Sequence, residues 1–391
     1  MKLKNLCTLL FITFFLSANA QKNTLNINSN IVMPKDSIKA KTLLFSVNAF
    51  LLSSQENSQN KWVLPTEIVE TQILIDEIQY IQKSKEFEND SYFKAYITNI
   101  IPIEENDYVV KISYIGLNED SPILRASFEL IVHKVDDNFL ISSPLIRHTQ
   151  NWKSKKIQNH IFHYPYTIDD ENIQIFADKV IFYDKKLSNN KGESHYYLCK
   201  DETNPLKLFG VEYKSDYNGD DLITRYMSQQ EEKSLWVVNE SGINDYNLHD
   251  LWHNRLGQVI SRREVHRRVD CHIATLYAGI WGLSWEELFP LFEEKFVIGK
   301  NVNWLEHKKN RSHFLTTEHK RKNYTDDFIG ALIVKKIEKD KGFDGVWELL
   351  MTKRTKDEKE YFEVLEKLTG ISKENYNKEV YKLIKEEIAS R

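Results

Sequence analysis

The sequence predicts an α+β protein in two parts. A small domain of helices followed by an antiparallel sheet comes first, then a larger domain with a small sheet and a mostly helical C-terminal half. Three observations predict this. Between residues 92 and 142, β-branched and aromatic residues alternate in short runs separated by Asn- and Asp-rich turns. Ahead of that stretch, apolar residues recur at helical spacing. From Asp245 onward the pattern is almost wholly helical. A chain of 391 residues, 41% hydrophobic, with 20 Phe, 19 Tyr and 8 Trp, can build sizeable cores and is neither collagen-like nor disordered. Lys and Arg number 53 against 57 Asp and Glu, so the basic excess of a nucleic-acid binder is missing.

Taken in order, residues 1–20 read as a secretory signal peptide. Lys2 and Lys4 precede an apolar run over residues 9–16 that is too short to anchor in a bilayer, and Ser17-Ala18-Asn19-Ala20 supplies a small-residue cleavage site. Cleavage after Ala20 makes Gln21 the mature N-terminus of a secreted or periplasmic protein with no transmembrane segment. Cys7 leaves with the leader, and Cys199 and Cys271 remain. A disulfide, two buried thiols, or a thiolate ligand at Cys271 are all open to them. Ile38, Leu43, Leu44, Val47, Phe50 and Leu51 predict a helix over 34–53, and a second runs over 65–81. Strands starting at Tyr92, Tyr108, Arg125 and Phe139 complete a domain spanning residues 21–152. Its element order is similar to the cystatin-like or nuclear-transport-factor-like shape, which implies a fold and no activity.

Residues 153–391 form the second domain. His163-Tyr-Pro-Tyr opens a strand, 169–187 reads as a helix, and 195–199 and 235–238 read as buried strands. The sharpest segment follows: Asn247-Leu-His249-Asp250-Leu-Trp-His253. His249 and His253 stand four apart, so on a helix their rings share one face and can grip one metal ion. A pair at that spacing arises by chance about 0.4 times in a chain with 12 histidines, so context must carry it. Downstream, Asp270-Cys271-His272 sits on a second predicted helix and offers three ligand types in a row. His307, His313 and His319 recur every six residues, which is no single helical face and reads as solvated. Arg262, Arg263, Arg267 and Arg268 form a basic cluster between the two helices. Trp281, Trp285 and Phe289 fit a helix face and read as core, with an aromatic cleft wall as the alternative; Tyr277 and Tyr324 read as buried packing, with oxyanion stabilisation as the alternative.

The order of a sheet, a Leu-His-Asp-x-x-His helix, a linker, a helix reading Val269-Asp-x-x-Ile-Ala-x-x-Tyr277 and an all-helical tail resembles the gluzincin zinc metallopeptidases. It is most similar to their secreted bacterial members, in which H-E-x-x-H is followed by D-E-G-x-A-x-Y, and the resemblance spans roughly residues 160–391. It implies a zincin-like fold, zinc as cofactor, a peptide or protein substrate, His249 and His253 as ligands, and Asp250 in the place of the general-base Glu. The glutamate ligand of the family has no counterpart here. Matching the flanking residues puts Cys271 in its place, counting the common gap after His253 lands on His272, and Asp270 is the remaining candidate. Asp250 has an arm one methylene shorter, and a misplacement of about 1 Å can cost about 100-fold in rate. Two readings follow: a secreted zinc peptidase of reduced activity, or a catalytically dead relative serving as a binding or structural module of the envelope.

Overall fold

The computed structural model describes residues 25–391 apart from 55–59, 83–91, 104–105, 190–191, 200–204, 216–225, 231–232, 240–245, 281–282, 297–301, 317–321, 354 and 356. The expected leader over residues 1–20, Trp281 and His319 lie outside the described residues. The architecture mixes helices and sheets, strand-rich toward the N-terminus and helical toward the C-terminus. The chain divides into two compact units, Met1–Asn151 with Asn204–Leu222, and Trp152–Thr203 with Ile223–Arg391.

In the first unit, β1 (Leu25–Ile27) precedes α1 (Ser37–Ser53), whose first turn is capped by the Asp36 carboxylate accepting from the Ile38 and Lys39 amides. Then come α2 (Ile68–Gln82) and the meander β2 (Lys94–Pro102), β3 (Tyr108–Asn118), β4 (Ser121–Val135) and β5 (Asn138–Ser142). The sheet order is β1-β2-β3-β4-β5, with β1 parallel to β2 and the rest antiparallel. The sequence divides the chain once, near residue 152. In the structure a later strand, Val211–Lys214, returns to this sheet and pairs with Ala126, Ser127 and Phe128 of β4. Long β4 pairs β3 along one edge and shares its other edge, the C-terminal end pairing β5 and the middle pairing the returning strand.

The second unit opens with β6 (Lys153–Ile157) and β7 (His160–Tyr164), then α3 (Asp170–Leu187), capped by Asp169. It continues through β8 (Glu193–Cys199), β9 (Tyr226–Gln230) and β10 (Lys233–Asn239), in the sheet order β9-β10-β8-β7-β6. The pairs β7/β8 and β8/β10 are parallel, and α3 supplies the first crossover. Helices follow: α4 (Tyr246–Val259), α5 (Arg267–Ala278), α6 (Trp285–Phe296) and α7 (Trp304–Asn310). A small hairpin that helical periodicity did not announce, β11 (His313–Thr316) with β12 (Lys322–Tyr324), precedes α8 (Thr325–Leu350), which breaks at Gly342. The helices α9 (Lys359–Thr369) and α10 (Tyr376–Ala389) close the chain. Trp285, Phe289, Phe292 and Phe328 form a buried aromatic cluster, with Trp285 stacked on Phe328 at 4.5 Å. Trp285 and Phe289 are therefore core rather than cleft wall. Among the described residues, no helix is long and apolar enough to cross a membrane.

Candidate metal centre

Helix α4 carries three stripes with three tasks. Leu248, Leu251, Trp252 and Leu256 recur at i, i+3, i+4 and i+8 and are buried in the core of the unit. On another face Arg255, fully buried, forms a bidentate ion pair with Asp184 of α3 at 2.6 Å for both bonds, and its remaining nitrogen donates to Ser194 and the Tyr196 hydroxyl on β8. Breaking such a pair leaves a buried charge at a cost of about 3–5 kcal/mol, so it fixes the rotation of α4 about its axis. The third stripe is the histidine pair.

His249 and His253 are 8% and 6% exposed, with ring centroids 5.0 Å apart and planes at 79°. Each ring is held through Nδ1. His249 Nδ1 donates to the Gly279 carbonyl at 2.8 Å, and His253 Nδ1 donates to Asp270 Oδ1 at 2.7 Å. A neutral imidazole that donates from Nδ1 carries its lone pair on Nε2, and this is the outer-shell arrangement of metal-ligating histidines. Gly279 earns its place in this by backbone geometry. It ends α5 at φ 71°, and a Cβ there would sit 1.8 Å from the Leu283 carbonyl oxygen.

The Asp250 carboxylate completes the constellation. One donor atom each from His249, Asp250 and His253 lie within 4.8 Å of one another. Zinc takes imidazole nitrogen and carboxylate oxygen readily, so this donor set fits the ion that the resemblance implies.

The three consecutive candidates of α5 part company. Asp270, fully buried, is the one that reaches the rings. Its Oδ1 accepts from His253 and from Trp252 Nε1 at 3.0 Å, and its Oδ2 from the Arg262 guanidinium at 3.0 and 3.2 Å. Burial alone would raise its carboxyl, but the His253 bond and the Arg262 charge hold it below the ordinary value. Asp270 thus holds the His253 ring, and both of its oxygens are taken up by these donors. His272 points into the core against α8. Its ring lies over Gly330, where a Cβ would come within 2.1 Å of Nδ1, and its Nε2 stands 3.9 Å from Asp326. Neither ring nitrogen has a hydrogen-bond partner among the described residues, and burial pulls the imidazole down to about 3. Cys271 is partly buried and stays outside the three-residue cluster, its thiol pushed up to about 12 by burial. Cys199 and Cys271 are both free thiols, so they do not bridge.

The weaker candidates settle into structural places. Tyr277 donates to Glu338 at 2.8 Å, and burial beside that carboxylate pushes its phenol well up. The Tyr324 ring lies under Arg311 at 4.4 Å. His307 packs on Phe296 and Trp304, while His313 is exposed. Arg268 pairs with Asp326 and Glu358.

Sequence reasoning missed the Gly279 carbonyl, which has no side chain to betray it, and the Arg255–Asp184 lock. It also missed a chain in the first unit, where His133 bonds Asp107 at 2.8 Å and Ser142 at 2.9 Å. The order is that of a hydrolase triad, but Ser142 is 1% exposed and the adjacent Ser143 amide is already bound to Thr71. The chain therefore ties β4 and β5 to the loop carrying Asp107. No family model matches the sequence, and no curated protein matches it.

Proposed function

We propose that the second unit is a zinc-binding, metallopeptidase-like module of an exported protein. One observation carries the reading: two histidines of one helical turn have both Nδ1 atoms anchored by outer-shell acceptors, with a carboxylate beside them. The motif order quoted from the sequence supports a gluzincin-like ancestry and a peptide or protein substrate. In this reading His249 and His253 hold the ion, Asp270 and the Gly279 carbonyl set the ring tautomers, and Arg262 balances Asp270. A zinc ion bound there supplies a Lewis acid and a water of lowered pKa.

A second reading, metal binding without turnover, is favoured by a specific observation. Asp270 is spent on His253, and neither Cys271 nor His272 joins the cluster. The test begins with metal content and zinc affinity of the purified full chain, followed by hydrolysis of a quenched fluorescent peptide library with and without chelator. Chelator-sensitive hydrolysis supports the peptidase. Stoichiometric zinc without hydrolysis supports the inactive relative. A wild-type protein that binds no zinc at micromolar concentration overturns both.

A further inference from the structure

We propose that Asp250 is itself the third protein ligand of the metal, not a base acting on its water. The proposal rests on the metal-binding reading above and names what completes the site. Its first support is geometric. Three donors no more than 4.8 Å apart share a centre that lies within about 2.8 Å of each, against about 2.0–2.2 Å for zinc bound to imidazole nitrogen or carboxylate oxygen. Small side-chain rotations close that gap. At that spacing the carboxylate can reach an ion held by the two rings directly, without an intervening water.

The second support is the fate of the rivals. Both oxygens of Asp270 are engaged by His253, Trp252 and Arg262. His272 is turned against Gly330 and Asp326, and Cys271 is not in the cluster. A two-histidine site lacking any protein carboxylate would leave a divalent ion with its charge uncompensated. Among the described residues Asp250, half-buried on the same turn, brings a carboxylate within reach.

The third is chemical. The residue type fits the role, because an aspartate carboxylate oxygen is an ordinary zinc ligand alongside imidazole nitrogen. The resulting two-histidine, one-carboxylate set comes from a single helical turn and leaves the remaining positions to solvent or an oxygen-bearing ligand. It suits zinc and also other first-row divalent ions such as iron(II) or manganese(II). With Asp250 coordinated, the site has lost its water-activating carboxylate, so the inference sides with metal binding over peptide hydrolysis.

The experiment measures zinc affinity by competition with a chromophoric chelator, and the visible spectrum of the cobalt-substituted full chain. The proteins are wild type, Asp250→Ala, Asp250→Asn and His253→Ala, with circular dichroism as the check on folding. Loss of an outer-shell partner alone typically weakens metal binding about 10–100-fold. Asp250→Ala is therefore expected to lose about 100-fold or more, as His253→Ala does, with the cobalt bands shifted in position and intensity. Zinc affinity within about threefold of wild type in both Asp250 variants, with an unchanged cobalt spectrum, overturns the proposal, because loss of a ligand must exceed loss of an outer-shell partner. Wild type that takes up neither ion is a different failure, that of the metal site itself.

Discussion

Asp270→Asn isolates the orienting role of the buried carboxylate from its bulk. The amide fits the same space and keeps one acceptor, but it removes the negative charge facing His253, Trp252 and Arg262. Charge-assisted hydrogen bonds contribute about 1.5–3 kcal/mol and neutral ones about 0.5–1.5, so the bonds from His253 and Trp252 each weaken by about 1 kcal/mol. Arg262 is 44% exposed at its side chain and can turn to water, which limits its share to about 0–1 kcal/mol. The helical unit is thus expected to lose about 2–3 kcal/mol. On the proposed metal-binding reading, zinc affinity falls about 10–100-fold, because the His253 ring is no longer held through its Nδ1. Asp270→Ala, which strands two buried donors, should cost more stability than the amide. Chelator competition reads the affinity and urea unfolding of the full chain reads the stability. An Asp270→Asn protein with zinc affinity within about threefold of wild type would show that the His253–Asp270 bond does not position a ligand.

Two further outcomes follow from the other face of α5. Gly330→Ala on a free helix would stabilise by about 1 kcal/mol; here the new Cβ would meet three atoms of the His272 ring at 2.1–2.3 Å, so a net loss of about 1–3 kcal/mol is expected. A raised melting temperature would contradict that packing. His272, held neutral by burial down to about 3, makes folding acid-sensitive. The unfolded chain takes up this proton near pH 6.5 while the folded protein does not, so stability falls with pH between about 6.5 and 3, by up to about 1.4 kcal/mol per unit. Between pH 7 and pH 5 the wild-type urea midpoint should drop by the equivalent of about 2 kcal/mol more than that of His272→Gln. Equal drops would refute the assignment.

Much of this protein is written locally. The alternation over 92–142 and the helical readings of 34–53 and 169–187 rest on near neighbours, and they became strands within 94–142 and helices over 37–53 and 170–187. The spacing of His249 and His253 likewise determined that their rings would share a face, since four residues nearly complete one turn. Asp270-Cys271-His272 could not be resolved in the same way. Adjacent residues on a helix point about 100° apart, so the three start in different directions, and all three are polar enough to hide which one turns toward α4. Packing decided it. The small Gly330 on α8 made room for an imidazole, which turned Asp270 toward His253 and left Cys271 between them. The rotation of α4 is set in turn by Arg255 and Asp184, 71 residues apart. The tautomer of His249 is set by a carbonyl that only the turn at Gly279 brings near. Those partners are distant in sequence or lack a side chain, and their pairing exists only once the helices have packed.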